Sequence, residues 1–235
     1  MLAQFVLFDG FDPLDVIAPF EVFSAARAFT GQVSAELVHA DGPREVRSGI
    51  PGVALTATAS LDPDRADLIV VPGAADGPVP QDGPVPQGGP VPQGEGNISD
   101  SERETMIPAI LGRAANSALP GLLAKALTTP DTTVATVCGG SLVLSMAGLI
   151  NGRNATTHHQ GLDLLAAGGV HVIRARVVDD GDLVTAGGVT SGLDLGLYLL
   201  EKAAGPKAAL AVEQLFEHER RGVAWRDHGP IPASA

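Results

Sequence analysis

The chain predicts a three-layer α/β fold, a mainly parallel sheet with helices on both faces. Three observations lead there. Strand-like and helix-like segments alternate along the sequence, the pattern of repeated crossover units. The strand-like runs are short, apolar and β-branched, as strands buried on both faces must be. A length of 235 residues with 45% apolar content suffices to bury one large core, so residues 1–235 read as a single domain.

From the N-terminus, AQFVLFDG (3–10) reads as a buried strand stopped by Asp-Gly. Asp12-Pro13 marks a helix start, and LDVIAPFEVFSAARAF carries apolar residues at helical spacing, with Pro19 implying a kink or a late first turn. VSAELVHA (33–40) alternates as a strand, VALTATASL (53–61) suits a small hairpin with its neighbours, and ADLIVVPG (66–73) is another buried strand. Ser99 and Glu102 resemble a capping box opening a helical stretch that breaks near Pro120 and ends at Leu127. TTVATV (132–137) is a strand and GSLVLSMAGLI the helix after it. GLDLLAAG is a short helix, and VHVIRARVVDDGDLVTAGG gives two strands joined through Asp-Asp-Gly-Asp. Two helices, TSGLDLGLYLLEKAAG and PKAALAVEQLFEHERR, close the pattern, their Leu stripe facing the core and Trp225 anchoring the tail.

One stretch breaks the alternation. DGPVPQDGPVPQGGPVPQ holds three near-copies of a hexapeptide, within an insert at about 76–96. Recurrent proline removes ladder donors, so it reads as a solvated loop of polyproline II character. Loop closure entropy grows slowly with length, which favours a tolerated expansion over a docking site for a proline-binding partner.

Composition excludes several classes. The net charge is −12 with only 15 Lys and Arg, which argues against a nucleic-acid partner. No apolar run approaches the roughly 20 residues of a membrane helix, and the start MLAQFVLFDG lacks a basic signal-peptide region. A single cysteine fits a reducing, cytoplasmic setting. No metal-ligand spacing is present, and the adjacent His158-His159 pair diverges too far to share a metal, so neither metal nor cofactor is expected. The Gly-rich run 187–191 lacks a phosphate-loop pattern and reads as a turn whose Thr or Ser caps the next helix.

That cysteine, Cys138, falls at the carboxyl end of a strand and directly before a helix, where open parallel sheets bind ligands. Thr136-Val137-Cys138-Gly139-Gly140 provides the small neighbours a nucleophile elbow requires, and a helix N-terminus there is expected to lower the sulfur's pKa. The competing reading is a buried structural cysteine. Asp15 lies just beyond the first strand and can reach the same edge, with Asp9, Asp12 and Glu21 competing for the role of proton partner. Gly73 ends another strand there, so its N–H and that of Gly139 are candidate donors to a developing negative charge.

At LDVIAPFEVF (14–23), LIVVPG (68–73), TVCGGSLVLSMAGLINGRNATTHH (136–159) and ARVVDDGDLVTAGGVTSGLDLGLYLLE (175–201), the chain resembles the ThiJ/PfpI superfamily. The resemblance is greatest to its isonitrile hydratase branch and to amidase-like domains of some transcription regulators. It implies a glutamine-amidotransferase-like, flavodoxin-type sheet, a Cys138 nucleophile hydrogen-bonded to Asp15, and Gly73 and Gly139 as oxyanion donors. It also implies a homodimer and a small-molecule substrate. Hydratases carry threonine after the cysteine and protease-like members histidine; here the position is Gly139. Gly140, His158 and Gly188 are further pocket candidates; for His158 the alternative is a hydrogen-bonding role at a helix edge. The resulting expectation is a cysteine-dependent hydratase or hydrolase-like lyase, converting isonitrile to N-substituted formamide. The alternatives are a redox sensor with an oxidisable Cys138 and a binding or regulatory amidase-like domain.

Overall fold

The computed structural model describes residues 1–75 and 106–227. The insert at about 76–96 and the Ser99/Glu102 pair lie outside them. The described chain runs β1 (Leu2–Leu7), α1 (Pro13–Thr30), β2 (Ser34–His39), β3 (Arg44–Arg47), β4 (Ala54–Ala57), β5 (Ala59–Ser60) and β6 (Leu68–Val71). It continues through α2 (Ile107–Ala115), α3 (Leu119–Ala126), β7 (Thr133–Val137), α4 (Gly140–Met146), β8 (Asn154–Ala155), a 3-10 turn at His159–Gly161 and α5 (Leu162–Ala167). β9 (His171–Val172), β10 (Val177–Asp179), β11 (Leu183–Ala186), α6 (Ser191–Ala204), α7 (Pro206–Phe216) and β12 (Trp225–Arg226) complete it.

Eight strands form one sheet in the order β12-β10-β11-β7-β6-β1-β2-β5. From β11 to β5 every neighbouring pair is parallel; β10 and β11 pair antiparallel as the hairpin the Asp-Asp-Gly-Asp turn implies. Gly181 takes φ 88° at that turn and its N–H donates to Asp179 Oδ1, which is why glycine stands there. Helices α1, α6 and α7 pack together on one face, while α2, α3, α4 and α5 cover the other. The three-layer α/β expectation, of flavodoxin type, therefore holds. Among the described residues no helix is long and apolar enough to cross a membrane.

Local differences have physical causes. The helix of α1 starts at Pro13 with Asp12 capping it, its carboxylate accepting the Leu14 N–H at 2.9 Å, so Pro19 does not delay the first turn. The segment 53–61 divides: β4 pairs antiparallel with β3, whereas β5 leaves the hairpin to extend the main sheet beside β2. The break before Leu127 falls between α2 and α3, and Pro120 sits in the first turn of α3, where its missing N–H costs nothing. Thr190 precedes α6 as expected but makes no side-chain cap; its hydroxyl accepts from Arg176 instead. Gln4, within an otherwise apolar strand, is fully buried because its amide is satisfied at both ends, donating to Glu36 at 2.7 Å and accepting from the Asp62 N–H at 2.9 Å.

Helix α1 carries Asp15, so the docking of α6 on α1 sets where that carboxyl lies. Gly192 and Gly196 lie one turn apart on α6. A methyl at Gly196 would stand 3.1 Å from Pro19 Cα and from Val22 Cβ, and one at Gly192 3.1 Å from Pro19 Cδ. Bare backbone at these positions lets the helices approach closely. Gly196→Leu is accordingly expected to lower unfolding free energy by about 1–3 kcal/mol through overpacking. Gly112→Ala, on a helical position of α2 where an added methyl meets nothing within 4 Å, should raise it by about 0.5–1 kcal/mol. Urea unfolding of both variants checks the pair.

Candidate functional site

The carboxyl ends of β1, β6 and β7, three adjacent strands, bring the site together. After β7 the chain turns so sharply into α4 that Cys138 adopts φ 53°, the left-handed region that an ordinary side chain avoids. The turn is held from below: the Cys138 N–H donates to the carbonyls of Ala186 and Gly187 at 3.0 and 2.9 Å. Gly140 is required beside it, since a methyl there would lie 2.3 Å from the Val71 carbonyl oxygen. The nucleophile-elbow geometry expected from the small residues around Cys138 is present.

Asp15 is the acid that meets the sulfur. It is 0% exposed, in the first turn of α1, and close enough to Cys138 for each group to shift the other's pKa. Its Oδ2 accepts the Gly73 N–H at 2.9 Å, while Oδ1 has no partner among the described residues. Of the other three candidates, only Asp12 reaches the same cavity, and it does not replace Asp15 beside the sulfur. Asp9 is exposed and takes both its bonds from Arg44 at 2.8 Å, Glu21 is exposed, and Asp12 caps α1. A methyl on Gly73 would stand 2.6 Å from Gly139 N, 2.8 Å from Asp15 Oδ2 and 3.1 Å from Cys138 Cβ. Three site groups thus converge on one glycine. The Gly73 N–H is committed to Asp15, which corrects the expectation that it stands free as an oxyanion donor.

Electrostatics correct a second expectation. Burial pushes the Asp15 carboxyl well above the usual carboxylate range, and the nearby Asp12 charge adds to this against the Gly73 N–H. Burial also pushes the Cys138 thiol up, followed by the Asp15 charge, and the Gly139 N–H opposes them only in part. The sulfur is therefore not a free thiolate made by a helix end: α4 is only seven residues long and burial outweighs it. The two groups behave as one buried pair.

A cavity of about 420 Å³ opens onto Cys138 and Gly139. Met106, Ile107, Leu111, Leu142, Leu164 and Val189 make it mainly apolar, with Asp12, His158 and Gln160 as its polar side chains. His158 fills both roles weighed for it. It lines the cavity, and its Nδ1 accepts the Gln160 N–H at 3.3 Å at the start of the 3-10 turn. That bond assigns the ring proton of a neutral His158 to Nε2. Burial and neighbouring His159 hold its pKa below the ordinary value. Gly140 and Gly188 are not among the lining residues; Gly140 serves the turn, and Gly188 backs His158, whose Cδ2 would lie 3.2 Å from a methyl there. A larger hollow of about 700 Å³, lined by Asp194, Tyr198, Glu201, Arg220, Arg221 and Arg226, lies away from the cysteine and is a weaker candidate.

Sequence reasoning missed Thr157, whose hydroxyl donates to the Cys138 carbonyl at 2.8 Å, and the apolar cavity wall contributed by α2. The Thr-Thr pair before the histidines was the available signal, but nothing in its spacing gives the direction of a hydroxyl.

The raised Asp15 pKa has a consequence for stability. Below the unfolded-state value the carboxyl is neutral in both states. As pH rises, the unfolded chain loses the proton first, so native stability falls until the folded-state pKa is passed. Asp15→Asn has no such proton to lose. Its melting temperature relative to the unsubstituted protein is expected to rise steadily from about pH 4 upward and then level off, whereas parallel Tm profiles would show an ordinary carboxyl.

Comparison with known proteins agrees with this architecture. A model of the DJ-1/PfpI family matches residues 113–202, a span that includes Cys138, Gly139 and His158 but neither Asp15 nor Gly73. The isonitrile hydratase of Pseudomonas putida is 45% identical over 85 residues, 36% of this chain and 37% of that protein, so the match spans little over a third of the relative. The "Uncharacterized protein in cpoL 5'region" of Streptomyces lividans is 34% identical over 161 residues, covering 68% of this chain and 89% of that one. Among solved structures, a ThiJ/PfpI family protein from Pseudomonas syringae superposes with a TM-score of 0.69 at 24% identity, over 100% of this chain and 78% of its own. With the strand order, the elbow and these matches together, the chain belongs to the DJ-1/PfpI family.

Proposed function

We propose that the protein is a cysteine-dependent hydratase acting on a small molecule with an apolar substituent, converting an isonitrile to an N-substituted formamide. The observation that carries this reading is Cys138 opening onto an apolar cavity of about 420 Å³ with the buried Asp15 carboxyl behind it. Similarity to the Pseudomonas putida isonitrile hydratase over part of the chain supports it.

The chemistry depends on one shared proton. With the proton on Asp15, the negative charge that opposes a thiolate is gone and the carboxyl O–H becomes a donor to sulfur. The sulfur lone pair attacks the terminal isonitrile carbon, forming a C–S bond, and Asp15 delivers its proton to that same carbon, giving a thioimidate. The carboxylate left behind removes a proton from water, whose oxygen adds to the thioimidate carbon, and the nitrogen takes that proton. Collapse breaks the C–S bond, releases the formamide, and returns the hydroxyl proton to the pair. Water and isonitrile are consumed one for one. The Gly139 N–H stabilises negative charge at the sulfur, and His158, neutral with Nε2–H as donor, faces the same space. The threonine that hydratases carry after the cysteine is replaced by Gly139 here. The hydroxyl that could position water or substrate must therefore be supplied elsewhere, and Asp12, His158 and Gln160 are the polar side chains lining the cavity.

Isonitrile turnover tests the proposal. Cys138→Ala should abolish it, and Asp15→Asn should lower kcat by about 10²–10⁴-fold, the range for a positioned general acid. In the unsubstituted protein, activity should fall on the alkaline side as the pair loses its shared proton, and Asp15→Asn should lose that limb. Turnover equal in Cys138→Ala and the unsubstituted protein would end the proposal.

A further inference from the structure

Cys138 C=O and Gly139 N–H belong to the same peptide unit. The unit is planar and trans, since no cis bond occurs among the described residues, so its C=O and N–H point in opposite directions. Whatever fixes the carbonyl therefore fixes the direction of the N–H. The N–H end lies with Cys138 Cβ against Gly73, 2.6 and 3.1 Å from a methyl placed there, and acts to lower the pKa of the sulfur. The carbonyl end is held by the Thr157 hydroxyl at 2.8 Å; the Ser141 hydroxyl is 3.5 Å away and has its closer acceptor, the Thr156 carbonyl, at 2.8 Å.

Thr157 is itself well fixed. It is 2% exposed, and a methyl on Gly161 would already stand 3.3 Å from its Cγ2, so the side chain is packed as well as bonded. The preceding residue is pinned to the sheet, the Thr156 N–H donating to Thr185 Oγ1 at 2.9 Å. Two strands of the main sheet thus meet at this peptide, β7 covalently and β11 through Thr185 and Thr156.

We propose that Thr157 is a positioning residue: by holding the Cys138 carbonyl it sets the plane of the 138–139 peptide and aims the Gly139 N–H at the sulfur. The role rests on reading Cys138 as the nucleophile, and it touches no substrate. A left-handed residue such as Cys138, at φ 53°, is under backbone strain. Removing the hydroxyl lets the peptide rotate toward a relaxed orientation, turning the N–H away from the charge it would stabilise.

Because Cys138 is the sole cysteine, its alkylation by iodoacetamide reports on it alone, with no need for turnover. Thr157→Val and Thr157→Ala should each slow alkylation at neutral pH, by roughly ten-fold, and move the midpoint of its pH profile upward. Thr157→Ser should restore both. The Val and Ala variants remove the same hydroxyl at different volumes, so a packing defect in one does not decide the outcome. An alkylation profile unchanged in both, with only Tm reduced, would overturn the positioning role. If the unsubstituted protein turns over no isonitrile while the alkylation profile shifts as stated, the reaction reading fails and the positioning role stands. If turnover depends on Cys138 but the profile does not move, the positioning role fails and the reaction reading stands.

Discussion

Everything at the sheet's rim depends on one buried carboxyl group. Asp15 sits at zero exposure with one oxygen bonded to a backbone N–H and the other without a partner among the described residues. An ionised carboxylate in that position would leave a buried charge without a cationic partner among the described residues, a state proteins avoid by neutralisation. The group that makes neutrality chemically useful is the sulfur of Cys138, placed against it by a strained turn. The rest of the fold supplies what holds these two atoms together. Parallel strands β1, β6 and β7 set the spacing, Gly73 permits the approach, and α6 presses α1 into place through two glycines.

The architecture was largely legible because it arises from local chemistry. Continuous β-branched runs such as TTVATV cannot be satisfied on a half-exposed surface, and Asp-Asp-Gly-Asp closes a hairpin through Gly181. The elbow was legible for the same reason: only small residues fit around Cys138, as the 2.3 Å approach at Gly140 demonstrates. Boundaries were less so, since β5 left the expected hairpin for the main sheet, a choice made by an available edge on β2 rather than by its own residues.

The site was legible in its residue types and not in its assignments. Four acids near the first strand were equivalent by sequence. Which one is buried depends on how α1 is rotated about its axis, and that rotation is fixed by contacts with α6, far away in sequence. The pKa direction of the sulfur was misjudged because a helix end was weighed without the burial that accompanies it, and burial is the larger effect. Gly73 was correctly brought to the rim, but its N–H serves the acid and not the substrate side. Thr157 escaped notice because its hydroxyl's partner is set by a tertiary contact with a carbonyl 19 residues away, and sequence periodicity carries no such information.

The protonation state of Asp15 is the claim on which the chemistry stands, and infrared difference spectroscopy reads it directly. A protonated-carboxyl C=O band is expected at neutral pH, absent from Asp15→Asn and shifted in Cys138→Ala because the sulfur is its electrostatic neighbour. A spectrum with no such band, in which Asp15 ionises within the ordinary carboxylate range, would contradict it.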